Sequence, residues 1–107
     1  YKDMIIKARD IDSRVTGRST GHPVRALRNQ MTKEYLKKEQ EGAPFEELEL
    51  LTLGGLRRAV VDGDVKTGSV MAGQIAGMVK EKMSCHDLIQ KLVKETDDLI
   101  GGKGFYE

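Results

Sequence analysis

The sequence predicts an α+β unit, mostly helical, in which a short antiparallel strand pair near the N-terminus is followed by about five helices. Three observations carry this. Two short extended segments flank a glycine-rich connection, the chain beyond Asn29 follows helical spacing, and a run of small residues from Gly68 to Gly77 stands apart from both.

Met4, Ile5, Ile6 and Ala8 give a short helix over Tyr1 to Ala8. Asp10 to Thr16 alternates weakly through Ile11, Ser13 and Val15, as a strand does. Gly17 to Gly21 reads as a loop, and His22 to Arg28 as a second extended segment with Pro23 where a strand can begin. Thr32 is placed to cap a helix over Lys33 to Gln40, since its hydroxyl can accept a first-turn N–H, and Gly42 stops it. Pro44 opens the next helix, with Glu46 and Glu47 at the positive end of its dipole. That helix is expected to bury Leu48, Leu51, Leu53, Leu56 and Val60, with Gly54-Gly55 kinking it or splitting it in two and Asp62-Gly63-Asp64 turning the chain. A small-residue helix is expected over Val70 to Lys80. Ser84 and Asp87 then form an N-cap pattern before an apolar face of Leu88, Ile89, Leu92, Val93, Leu99 and Ile100. Gly101-Gly102 ends this helix, and Lys103 to Glu107 is expected to fray.

The 107 residues suffice for one small core. Eighteen Lys and Arg against seventeen Asp and Glu leave a net charge of +1, so nucleic acid is not an expected partner. No apolar run reaches the ~20 residues that span a bilayer, so neither a membrane span nor a secretory signal is expected. One cysteine, Cys85, cannot form an internal disulfide, and a cytoplasmic location follows as the expectation. The chain opens with Tyr inside what reads as a helix, which suggests a fragment of something longer.

Several residues invite a chemical reading. His22 beside a loop of Gly, Ser and Thr suggests a phosphate cradle or a base, but G-x-x-x-G without Gly-Lys-Ser/Thr is not a P-loop, and a turn with a solvent-facing His22 is the plainer reading. Arg14, Arg18, Arg25 and Arg28 surround the same hairpin and read as a solvated face or a contact for phosphate or an acidic carrier. Cys85 and His86 lack the further ligands a metal needs, and Asp62 and Asp64 read as turn residues, so no metal site is assigned. The small-residue run remains. Gly costs about 1 kcal/mol relative to Ala inside a helix, so Gly73 and Gly77 call for a close neighbour. Tight helix packing explains Ala72, Gly73, Ala76 and Gly77, whereas Met71 and Gln74 leave contact with a ligand open.

The run Gly68-Ser69-Val70-Met71-Ala72-Gly73-Gln74-Ile75-Ala76-Gly77, preceded by Leu56 to Asp64, resembles the C-terminal part of the FMN-dependent enoyl-acyl-carrier-protein reductase II and nitronate monooxygenase (2-nitropropane dioxygenase) family. Val15-Thr16-Gly17 and Thr20 to Asn29 resemble the same family's smaller domain, in the right order. The form Met-Ala-Gly-Gln-Ile-Ala-Gly is closer to the reductase branch.

The resemblance implies a TIM-barrel flavoenzyme with residues 1–80 as a small substrate and lid domain and 81–107 as a C-terminal helix packed on the barrel. NAD(P)H would reduce FMN, which would deliver hydride to an enoyl thioester on acyl carrier protein; the other branch oxidises small nitronates. Met71, Ala72, Gly73 and Gln74 match the segment that approaches the flavin. No catalytic residue is assigned, because the family's catalytic histidine and phosphate loops belong to the barrel and His22 does not match that histidine. The chain alone is expected to be inactive and, with surfaces that normally face the barrel exposed, to form a homo-oligomer. A helical protein-interaction module using the G-x-x-x-G face is the alternative of another class.

Overall fold

The computed structural model describes residues 1–101. Its elements are α1 (Lys2–Lys7), β1 (Ser13–Thr16), β2 (Val24–Leu27), α2 (Gln30–Gln40), α3 (Phe45–Thr52), α4 (Gly55–Val60) and α5 (Cys85–Gly101), with 3₁₀ turns at Arg18–Thr20 and Gln74–Met78.

The strands pair antiparallel, Ser13 opposite Leu27 and Thr16 opposite Val24. β1 starts at Ser13 rather than Asp10 because Asp12 folds back: its carboxylate accepts the Arg9 N–H at 2.8 Å and the Arg9 guanidinium at 3.1 Å. Those bonds, the side-chain one foremost, hold the Asp12 carboxyl down at about 2. Between the strands, Gly17 and Gly21 sit at φ 81° and 80°, which L side chains rarely adopt. Ser19 donates its N–H and hydroxyl to Glu39 at 3.0 and 2.6 Å, fastening this loop to α2.

α2 begins earlier than expected, and its cap is Asn29 rather than Thr32. Asn29 accepts the Thr32 N–H while the Thr32 hydroxyl accepts the Asn29 N–H, each at 2.9 Å, a reciprocal capping box. The Asn29 amide also donates to the carbonyls of Val65 and Gly68 at 2.9 and 2.8 Å. One side chain therefore starts a helix and anchors the distant segment that enters the small-residue run.

Gly54, at φ 68°, splits the next helical stretch into α3 and α4. The break turns α4 so that Gly55 and Ala59 face inward, which leaves Leu53, Leu56 and Val60 exposed instead of buried; Leu48 is buried and Leu51 half-buried. The Arg58 guanidinium bridges the carbonyls of Leu53, Leu51 and Thr67 at 2.7, 3.2 and 3.1 Å. It ties α3 and α4 to the chain ahead of Gly68.

No α-helix forms over Val70 to Lys80. Leu27 donates its N–H to the Val70 carbonyl at 2.8 Å, Ala72 donates to Arg25 at 3.4 Å, and Ala26 and Met71 form an antiparallel bridge. Val70 to Ala72 thus lies extended along the free edge of β2, and helical turns appear only in the 3₁₀ segment. Pairing with an open strand edge and full burial of Val70 outweigh a weak, glycine-rich helical pattern. Gly73 is extended and Gly77 lies within the 3₁₀ segment, so the two glycines form no α-helical G-x-x-x-G face of the kind a helical interaction module would use.

Two clusters form the core. Ala8, Leu27, Ala59, Val70 and Ala76 make one, and Met31, Tyr35 and Leu48 the other. α5 joins neither: its start is capped as expected, Asp87 donating its N–H to the Ser84 hydroxyl at 3.1 Å, but each of its residues is exposed. The helix includes Gly101, and the expected tail lies outside the described residues. No described helix is long and apolar enough to cross a membrane.

Candidate functional site

The extended strip places alternate residues on opposite sides, as any strand does. Val70 is sealed in the core, Met71 is 43 % exposed on the other side, and Ala72 packs back against the core cluster. The Tyr1 hydroxyl donates to the Met71 carbonyl at 2.5 Å and steadies the strip from the N-terminal helix.

Glycine governs how the strip arrives and what it leaves open. A Cβ on Gly68 would stand 2.7 Å from the Ala59 nitrogen and 2.8 Å from its Cβ, and would press on the Asp64 carbonyl as well. Gly68 is therefore required by close approach to α4. At Gly77 a Cβ would meet the Asp10 nitrogen at 2.8 Å, so the 3₁₀ turn also rests on backbone. Gly73 differs from both. Nothing lies within 4 Å of its Cβ position, and its backbone is extended, with φ −79° and ψ −179°.

Met71 opens onto a cavity of about 330 Å³ under the hairpin, walled by Thr16, Val24 and Ala26 from the strands, Met31 and Tyr35 from α2, and Phe45 and Leu56 from α3 and α4. Thr20 and His22 come to it from the loop. The Thr20 hydroxyl donates to Gly17 at 2.7 Å and accepts the His22 N–H at 3.2 Å, so the histidine is positioned by its backbone. Burial, and secondarily the negative charge of Glu39, push the Tyr35 phenol up from its ordinary value, and it stays protonated at neutral pH. Burial also pulls the Glu39 carboxyl upward, but hydrogen bonds from Ser19 and Gly17 outweigh it and hold Glu39 below its ordinary value. The cavity is thus mainly apolar, with the Tyr35 phenol, threonine and Ser69 hydroxyls, the His22 imidazole and the Glu49 carboxylate on its walls.

Of the four residues matched to the flavin-approaching segment, Met71 lines this cavity, while Gly73 and Gln74 continue as an exposed edge beyond it and Ala72 is half-buried. The other candidates do not converge. Arg25 donates to the Ser13 hydroxyl at 2.8 Å, Arg28 to Asp12 at 3.1 Å, and Arg14 to the carbonyls of Ile11 and Ser13 at 2.5 and 2.9 Å. Cys85 is exposed, and His86 lies 3.3 Å from its neighbour Asp87. Asp64 accepts the N–H groups of Lys66 and Thr67 at 3.1 and 2.9 Å, which makes it a turn residue. Among the described residues no three His, Cys, Asp or Glu side chains come together as a metal site would require. Sequence reasoning overlooked Met31, Tyr35 and Phe45; the i, i+4 spacing of Met31 and Tyr35 on α2 was the available signal.

The chain matches the nitronate monooxygenase family over residues 1–95 and belongs to it. Among solved structures, FabK from Thermotoga maritima superposes with a TM-score of 0.86 at 36% identity, covering 100% of this chain and 34% of FabK. A methionine-to-alanine mutant of FabK from the same organism gives a TM-score of 0.74 at 34% identity, covering 100% of this chain and 31% of the mutant. The chain therefore spans about a third of these relatives. No curated protein sequence matches it.

Proposed function

We propose that this chain is the flavin-facing accessory part of an FMN-dependent oxidoreductase that uses NAD(P)H to reduce enoyl thioesters carried on acyl carrier protein, the activity of enoyl-acyl-carrier-protein reductase II. The observation that carries this reading is the edge Met71 to Gly73, extended up to the 3₁₀ turn that Gln74 opens and stripped of bulk at an exposed glycine that no packing demands. The 36% identity to FabK along the whole chain supports the reductase branch.

The edge fits the flat side of a flavin ring. Met71 would supply an apolar wall, Ala72 and Gly73 an unobstructed backbone, and Gln74 an amide for hydrogen bonding. The bound flavin supplies the hydride chemistry, and the protein contributes position and desolvation. The adjoining cavity suits an apolar acyl segment, with the neutral Tyr35 hydroxyl able to donate a hydrogen bond to a carbonyl. In this reading residues 1–80 cover the flavin, residues 81–107 pack on a TIM barrel that holds the cofactor phosphate and the catalytic histidine, and the enzyme works in the cytoplasm.

A nitronate monooxygenase is the second reading, favoured by the family match over residues 1–95. The flavin-loaded enzyme carrying this chain separates the two. NAD(P)H oxidation that depends on an enoyl thioester is expected; oxygen uptake driven by an alkyl nitronate, without such oxidation, would establish the alternative.

A further inference from the structure

The strip that carries the Met71 to Gly73 edge is held unevenly. Along β2 it makes two hydrogen bonds, from the Leu27 N–H to the Val70 carbonyl at 2.8 Å and from the Ala72 N–H to the Arg25 carbonyl at 3.4 Å. The pairing is therefore firm at Val70 and slack where the chain runs on into Gly73. Backbone groups of successive residues in an antiparallel pair point to opposite edges, so with Val70 and Ala72 bonded to β2 the Met71 carbonyl points away from it. The Tyr1 hydroxyl meets that carbonyl at 2.5 Å. Among the described residues no other hydrogen bond reaches Val70 to Ala72 from this side.

The Met71 carbonyl and the Ala72 N–H are the two ends of one planar peptide group, which Tyr1 and Arg25 grip from opposite edges. A hydrogen bond to the carbonyl also polarises the N–H across the same amide, which strengthens the slack bond to Arg25. Tyr1 is itself well anchored. Its ring is half-buried against the cluster of Ala8, Leu27, Ala59, Val70 and Ala76, and its own carbonyl accepts the Ile5 N–H at 3.2 Å. Burial pushes its phenol up, so the hydroxyl remains a donor at neutral pH. Beyond the strip, the backbone leaving α1 supports the 3₁₀ turn, where a Cβ on Gly77 would stand 2.8 Å from the Asp10 nitrogen and 2.9 Å from the Arg9 carbonyl carbon. α1 and its exit thus brace the chain at Met71 and at Gly77, and Gly73 spans the interval with nothing within 4 Å of its Cβ position.

We infer that Tyr1 is a positioning residue for the flavin site: its hydroxyl fixes the Met71–Ala72 peptide and, through it, the height at which Ala72 and Gly73 stand against the ring. The inference rests on the flavin-facing reading above. Tyr1 acts by preorganisation. Without the hydroxyl the free end of the strip samples more positions, and binding must then order it.

The test uses the enzyme carrying this chain as wild type, Tyr1→Phe, Tyr1→Ala and Gly73→Leu. Each is stripped of flavin, melted, and titrated with FMN, and the visible circular dichroism of the saturated protein is recorded. Tyr1→Phe keeps the packed ring and removes only the hydroxyl. It is expected to leave the flavin-free melting temperature within about 2 °C of wild type. FMN binding should weaken by about three- to ten-fold, the range that one ordinary hydrogen bond spans, and the circular dichroism of the bound flavin should change. Tyr1→Ala should lower the melting temperature as well, because it removes the packed ring. Wild-type affinity and circular dichroism in Tyr1→Phe, or a loss that appears only with Tyr1→Ala and its lowered melting temperature, would overturn the assignment and make Tyr1 a packing residue. Gly73→Leu separates the assignment from the reading beneath it. If Gly73→Leu weakens FMN binding and Tyr1→Phe does not, the edge faces the flavin and only the Tyr1 assignment falls. If Gly73→Leu binds FMN as the wild type does, the flavin-facing reading fails and the Tyr1 assignment falls with it.

Discussion

Gly68 and Gly73 lie five positions apart and do opposite work. At Gly68 a methyl group would overlap Ala59 and the Asp64 carbonyl, all close-packed, so relief requires movement of α4. At Gly73 a methyl group meets nothing within 4 Å, and the backbone is one that any residue adopts. Gly68→Ala is therefore expected to destabilise the chain by about 1–3 kcal/mol, as overpacking does. Gly73→Ala should shift stability by less than about 0.5 kcal/mol, as most open surface changes do. Parallel denaturant melts check both; equal losses would mean that Gly73 is also a packing glycine. The sequence made the crowding of small residues visible but not this division, because the neighbours that crowd Gly68 come from α4 and the Asp64 turn. Thr32 illustrates the same limit. Its N-cap chemistry was legible, yet Asn29, three residues earlier, takes the cap and leaves Thr32 as the reciprocal member of the box.

Elements with a strong local signal were readable from spacing and caps: the hairpin, α2, the split of α3 from α4, and α5. The strip from Val70 to Ala72 was not, because three residues of alternation are too short to outweigh the helical spacing around them. Its extended form depends on the free edge of β2, which lies more than forty residues earlier. α5 is the reverse case, an amphipathic helix whose apolar side is exposed: Leu88, Ile89, Leu92 and Val93 are 45–58 % exposed. An apolar stripe of this kind favours association over solvation. We therefore propose that the isolated chain self-associates through α5. Leu92→Asp should shift it towards monomer in light scattering while changing its unfolding free energy by less than about 0.5 kcal/mol, since Leu92 belongs to neither core cluster. A monomeric wild type, or a large loss of stability in the variant, would contradict this role.

The chain extends 58 × 30 × 20 Å and spans about a third of the length of FabK. The cavity walls come from the hairpin, α2, α3, α4 and the Met71 strip, elements that only the fold unites. That is why Tyr35, Met31 and Phe45 were not legible in the sequence, whereas Met71, the one of the four matched residues that lines the cavity, was singled out through family resemblance. The central claim is that the Met71 to Gly73 edge faces a flavin, and Gly73→Leu in the enzyme carrying this chain tests it most directly. Added bulk at an open, extended position should leave the melting temperature of the flavin-free protein unchanged. If the flavin ring occupies that space, the 1–3 kcal/mol typical of overpacking lowers FMN affinity by about five-fold or more, measured as bound FMN per protein in a titration. An FMN affinity equal to that of the wild type would place Gly73 against solvent and contradict the claim.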